Sequence, residues 1–225
     1  MTERIMTESI LTESVLVRAH ALSLRRGGDE IIRSADFGLG PGLWLMRGAN
    51  GSGKSTLLRA LAGVGAIATG RIEIAGHDLV RAPEAARRQL GYAPQSAELL
   101  GYLSVREFLQ TVAALRGTSP ADATTRAQRW IHARCLDRRI DTLSAGQRRK
   151  LCLCAALCGE PRVLLLDEPE TGLDVDAGAE LRATLQGLAE LGHAVVIASH
   201  TEFFVGDECR PVGQIQVHDG HARVV

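Results

Sequence analysis

An apolar run, Leu43-Trp-Leu-Met46, leads through Gly48-Ala-Asn-Gly-Ser-Gly-Lys54-Ser55-Thr56 into the helix-like LLRALAGV. Strand, glycine-rich turn and helix in that order narrow the fold more than any other part of the chain. The stretch fits G-x4-G-K-[ST], whose small residues let successive backbone N–H groups curl around phosphate oxygens. The helix N-terminus adds its positive dipole end. Gly48, Ala49, Asn50, Gly51, Ser52 and Gly53 form the cradle. Lys54 is placed to reach the β- and γ-phosphates, Ser55 to ligate Mg²⁺ and Thr56 to touch the α-phosphate. A turn that merely joined strand to helix would need neither the lysine nor two hydroxyls.

The chain around this loop alternates. VLVRAHALSL, EIIRSADFGL and LWLM are expected as strands, GRIEIAGHDL as a hairpin strand and RRQLGYAP as a further strand. Later come a helix over about 145–158, a strand VLLLD at 163–167, a helix near 176–191 and a strand AVVIAS at 194–199. Such alternation implies an α/β fold with a parallel sheet covered on both faces. Ser96 to Ile140 differ in kind. Ser104-Val-Arg-Glu107 is a capping box, and Val105, Phe108, Leu109, Val112 and Leu115 recur at helical spacing. A second helix is expected near Ser119-Pro120, which makes about 96–158 a small helical subdomain. The opening pentads MTERI, MTESI and LTESV suggest a low-complexity leader over 1–14, ahead of one domain over 15–225 that ends in the hairpin-like QIQVHDGHARVV.

Bulk properties set limits. A chain of 225 residues has room for one good-sized domain. Lys plus Arg equals Asp plus Glu at 26 each, so no basic excess points to nucleic acid. No apolar run approaches the ~18–20 residues that span a bilayer, so a membrane process would need another polypeptide for its membrane part. The cysteine spacing C-x-C-x3-C fits neither a zinc knuckle nor a disulfide framework, and reduced core thiols in a cytosolic chain are expected.

Val163-Leu-Leu-Leu-Asp167-Glu168 reads as a buried strand ending in two carboxylates. Asp167 can hold Mg²⁺ through a water, and Glu168 can polarise an attacking water as general base. Gln95, at a strand edge just before the helical insert, can sense both the metal and the movement of the insert. His200 ends a strand that returns to the same sheet edge, which suits a γ-phosphate contact. Asp174, in Thr-Gly-Leu-Asp, is placed to pass information across an interface.

In this order the motifs resemble those of the ATP-binding subunits of ABC transporters, over about residues 15 to 222. GANGSGKST is similar to that family's Walker A, YAPQ to its Q-loop, VLLLDEP to its Walker B, TGLD to its D-loop and His200 to its switch histidine. Leu143, Ser144, Ala145, Gly146 and Gln147 are similar to its signature. The resemblance implies an ABC-type P-loop fold: an N-terminal antiparallel β subdomain, a RecA-like parallel core and the helical insert. It implies ATP and Mg²⁺, with Lys54, Glu168 and His200 serving hydrolysis and Ser55, Gln95 and Asp167 the metal. It also implies a homodimer or a dimer with a related cassette, each ATP lying between one subunit's Walker A and the other's signature. Asp174 would sit at that interface. Transmembrane permease subunits would be the partners, and the chain would lie in the cytoplasm, peripheral on the inner face of the cell membrane.

Two positions depart from the family pattern. Ala145 stands where glycine is usual, and its methyl is tolerable if the backbone keeps out of the φ > 0 region. No aromatic ring precedes Walker A at the usual distance for stacking on adenine. Arg26 can stack its guanidinium on the base or belong to a solvated turn. The helical insert resembles that of bacterial exporter ATPases, and LSAGQRRK with DEPETGLDVD also resembles the haem-exporter subunits of cytochrome c maturation. Non-transport members of the superfamily carry long coiled coils or two cassettes in one chain, and neither feature is present.

Overall fold

The computed structural model describes residues 15–96, 98–206 and 208–225, so the pentad leader lies outside the described residues. Two sheets face each other. One is antiparallel, with β1 (Val17–Arg26), β2 (Asp29–Leu39), β4 (Thr69–Ile74) and β5 (His77–Asp78) in the order β2-β1-β4-β5. The other joins β3 (Gly42–Arg47), β6 (Leu90–Ala93), β7 (Val163–Asp167), β8 (Ala194–Ala198), β9 (Gly213–His218) and β10 (His221–Val224) in the order β10-β9-β3-β8-β7-β6. Its strands are parallel except β10, which folds back along β9. Six α-helices accompany the sheets among the described residues: α1 (Lys54–Leu61), α2 (Pro83–Arg88), α3 (Val105–Arg116), α4 (Pro120–Ala127), α5 (Ala145–Leu157) and α6 (Val175–Glu190).

The period of two along each strand explains the layering. On β7, Val163 and Leu165 join the core shared with the antiparallel sheet and α1, while Leu164 and Leu166 join the core under α5 and α6. On β8, Ala194, Val196 and Ala198 face the first core and Val195 and Ile197 the second. Both faces are covered, which is why these strands read as unbroken apolar runs.

The helical insert has a core of its own, in which Val105, Leu109, Ala127, Ile131, Ile140 and Leu151 pack together. Ser104 and Glu107 exchange the reciprocal bonds of a capping box at the start of α3, and Gly117 at φ 68 ends that helix. Ser119 caps α4, whose first residue is Pro120. Among the described residues, no helix is long and apolar enough to cross a membrane.

Two expectations are corrected. The strand expected from Arg87 begins only at Leu90, because Pro83 at a first helical turn starts α2 and carries Arg87 and Arg88 with it. Leu115 is 81% exposed instead of joining the α3 stripe. Val105, Leu109 and Ala113 define the buried line at intervals of four, and Leu115 falls on its flank.

β6 and α5 approach so closely that a Cβ on Gly91 would lie 2.1 Å from the Ala156 carbonyl oxygen and 2.9 Å from Pro161 Cγ. Gly91→Ala is therefore expected to destabilise the fold by about 1–3 kcal/mol, as overpacking does elsewhere, read as a lower melting temperature.

Candidate active site

Three adjacent parallel strands end together. Met46 on β3 is level with Ala198 on β8, and Ala198 is level with Asp167 on β7. The loop after β3, the acidic turn after β7 and the Ser199-His200 turn after β8 thus meet at one edge, the usual ligand edge of a parallel sheet.

In the loop after β3 the backbone of Gly48 runs at φ 157, and a Cβ there would stand 2.2 Å from the Val217 carbonyl oxygen. Only glycine lets the turn pass β9 this closely. Lys54 is buried, and its Nζ donates to the carbonyl oxygens of Gly48 at 2.7 Å and Ala49 at 3.0 Å. Its charge is held at the centre of the loop. The Ser52 hydroxyl oxygen is buried without a hydrogen-bond partner, as expected of a group awaiting a phosphate oxygen. Ser55 and Thr56 open α1 directly behind it.

Glu168 follows β7 at φ 46, and its N–H donates to the Ala198 carbonyl at 2.8 Å. That turn aims its carboxylate at Gln95 and His200. Gln95 Nε2 donates to Oε2 at 2.7 Å, and His200 Nδ1 faces Oε1 at 3.1 Å. Asp167 is buried. Burial raises its carboxyl above the ordinary range, the Ser55 hydroxyl opposes this, the Glu168 charge adds to the rise, and Arg149 and Lys54 lower it. Ser55, Asp167 and Gln95 form a hydroxyl, carboxylate and amide set of the oxygen-donor chemistry that suits Mg²⁺.

Leu143 to Gln147 lie at the start of α5. Ser144 is its N-cap, with Oγ accepting from Gln147 N–H at 3.2 Å and the Gln147 side chain accepting from Ser144 N–H at 3.0 Å. Ala145 is the first helical residue and does not take positive φ, so its methyl costs no backbone strain. Gly146 cannot be enlarged so easily: a Cβ there would be 2.7 Å from the Gly172 carbonyl oxygen. Asp174 caps α6 through Ala177 N–H at 2.8 Å and pairs with Lys150 Nζ of α5 at 2.8 Å. Among the described residues, no hydrogen bond or ion pair joins 143–147 to the loop 48–56. Arg26 sits exposed at the end of β1, opposite Asp29.

Sequence reasoning missed three supporting groups. Arg149, buried on α5, donates to the carbonyl oxygens of Pro94, Asp167 and Pro169. Arg47, just ahead of the loop, donates to the carbonyls of Ser199 and Thr201 on either side of His200. Glu170 accepts from the hydroxyls of the same two residues. One signal was available for Arg149, which lies three and four residues before Cys152 and Leu153 and so shares their buried face.

Comparison with known proteins gives consistent relatives. A family model described as ABC transporter matches residues 33–171. The ATP-binding cassette sub-family A member 7 of Rattus norvegicus is 37% identical over 170 residues, which is 73% of this chain but 8% of that protein. The chain thus spans less than a tenth of this long relative. The cytochrome c biogenesis ATP-binding export protein CcmA of Alkalilimnicola ehrlichii is 40% identical over 195 residues, covering 84% of this chain and 82% of the relative. Among solved structures, a dimeric post-hydrolysis state of the ATP-binding cassette MJ0796 bound to ADP and Pi superposes with a TM-score of 0.79 at 20% identity, covering 93% of this chain and 98% of that one.

Proposed function

Because the chain belongs to the ABC transporter ATP-binding family, we propose that it binds and hydrolyses Mg·ATP and thereby powers a transporter whose transmembrane subunits are separate polypeptides. The observation that carries this reading is the meeting of Gln95 and His200 on the Glu168 carboxylate, beside Asp167 and the Lys54 loop. The loop's N–H groups and Lys54 hold and neutralise the phosphates. Mg²⁺, when bound, offsets charge on the phosphates and fixes their orientation. Glu168 takes a proton from the attacking water, Gln95 fixes one carboxylate oxygen and His200 stands where the γ-phosphate would meet it.

The working form is a head-to-tail dimer. Ser144 and Gly146 have no bonded link to their own loop, which suits a role toward the nucleotide of a second cassette, and the MJ0796 cassette is itself dimeric. Asp174, beside the exposed Val175, lies on the surface that would close. The chain sits on the inner face of the membrane through its permease partners. Export is the favoured direction, since the export protein CcmA is 40% identical over 84% of this chain, against 34% over 82% for the zinc import ATP-binding protein ZnuC of Cereibacter sphaeroides. The CcmA match also favours one narrower reading, a haem-exporter ATPase of cytochrome c biogenesis.

Phosphate release from Mg·ATP by the wild-type chain is expected to fall to background in Lys54→Ala, with loss of nucleotide binding. Wild-type release no higher than that of Lys54→Ala would defeat the ATPase reading. The same assay with GTP measures the base selectivity that Arg26 leaves open.

A further inference from the structure

Arg149 is a charged side chain in an interior position, 8% exposed. Burying a charge is costly unless its donors are satisfied, and here they are satisfied by backbone alone. Nε donates to Pro169 O at 3.3 Å, Nη1 to Pro94 O at 2.5 Å and Nη2 to Asp167 O at 2.7 Å. These carbonyls belong to three segments: the residue before Gln95, the last residue of β7 and the turn just past Glu168. The guanidinium therefore holds the peptide leading into Glu168, the carbonyl of Pro169 just after it and the peptide leading into Gln95. Glu168 needs holding, because φ 46 is disfavoured for a residue with a side chain. Its hydrogen bond with Gln95 is 2.7 Å long and depends on those same segments staying aligned.

We infer that Arg149 is the positioning residue for the Gln95–Glu168 pair, and that through it the placement of α5 governs the placement of the hydrolytic carboxylate. Arg149 touches no nucleotide; it acts through the backbone it grips. A planar guanidinium with directed N–H groups can join three carbonyls at once, whereas a lysine offers a point charge on a flexible stem. α5 is capped by Ser144, five residues before Arg149. In the dimer proposed above, Ser144 meets the other subunit's nucleotide, so Arg149 links that event to the Glu168 of its own chain. The inference rests on the ATPase reading.

The test compares wild type, Arg149→Lys, Arg149→Gln, Gln95→Ala and the double variant Arg149→Lys/Gln95→Ala. Each is assayed for Mg·ATP hydrolysis, for binding of a fluorescent ATP analogue and for thermal melting. Misplacing the carboxylate is expected to lower kcat about 10- to 100-fold in both Arg149 variants. Binding of the analogue is expected to stay near the wild-type value. The double variant separates positioning from general support: its kcat should match that of Gln95→Ala within about twofold, whereas independent effects would multiply. Multiplying effects, or an Arg149→Lys kcat equal to wild type, would overturn the inference. Loss of nucleotide binding together with hydrolysis in Arg149→Lys would overturn it too, by marking Arg149 as a folding residue. If Arg149→Gln fails to fold, Arg149→Lys, which keeps the charge, decides. Absent hydrolysis in wild type would defeat the ATPase reading instead, and that measurement tells the two failures apart.

Discussion

Glu168→Gln is expected to lower Mg·ATP hydrolysis about 10²–10⁴-fold, the range a positioned general base supplies, while nucleotide binding persists. The amide has nearly the volume of the carboxylate and can still accept a hydrogen bond from Gln95 Nε2, so the turn after β7 keeps its shape. It cannot take a proton from water. Lys54 and the loop N–H groups are untouched, and so is Asp167. ATP should then be bound but not consumed, and the closed dimer should accumulate. Light scattering after size exclusion reads the dimer and a phosphate-release assay reads the hydrolysis. Hydrolysis at the wild-type rate would remove Glu168 from its role.

The second large effect needs two defective chains. Ser144→Arg puts a long cation where the proposed partner's phosphate loop would close, while its own Lys54 loop stays intact. Lys54→Ala does the reverse. Either variant alone should be inactive. Mixed dimers hold one complete composite site, so an equal mixture should recover about a quarter of wild-type activity if pairing is random, because half the dimers are mixed and each has one working site. Loss of the Ser144 cap should cost α5 only about 1 kcal/mol, too little to unfold the chain. No recovery in a mixed dimer isolated through two different tags would argue against the shared site.

Much of this architecture was legible because it is local. The phosphate loop, the Ser104 capping box and the two-sided apolar strands β7 and β8 are written in consecutive residues, and the structure has them within a residue or two of the expected bounds. That Gln95 and His200 lie at one sheet edge was legible from the alternation of strands and helices, since parallel strands bring their C-terminal ends together. What escaped depends on contacts between distant segments. The bonds of Arg149 reach carbonyls up to 55 positions away, and those of Arg47 reach more than 150. Backbone acceptors carry no sequence mark, so a residue that serves them looks like any other surface cation. Leu115 failed for the opposite reason, because spacing alone does not say which side of a helical stripe the rest of the insert will cover.

The five cysteines bear on how motion in this molecule can be watched. All are free and buried, and burial pushes the thiols of Cys152 and Cys209 up and that of Cys154 up to about 12. Thiolates, not thiols, react with maleimides. The native chain therefore gives a thiol-directed dye or spin label little to attack while it stays folded. A single cysteine engineered at Val175, which is 87% exposed, would become the preferred point of attachment without a cysteine-free background having to be built first. The packing that hides these sulfurs thus makes the natural sequence a ready scaffold for distance measurements across the proposed dimer.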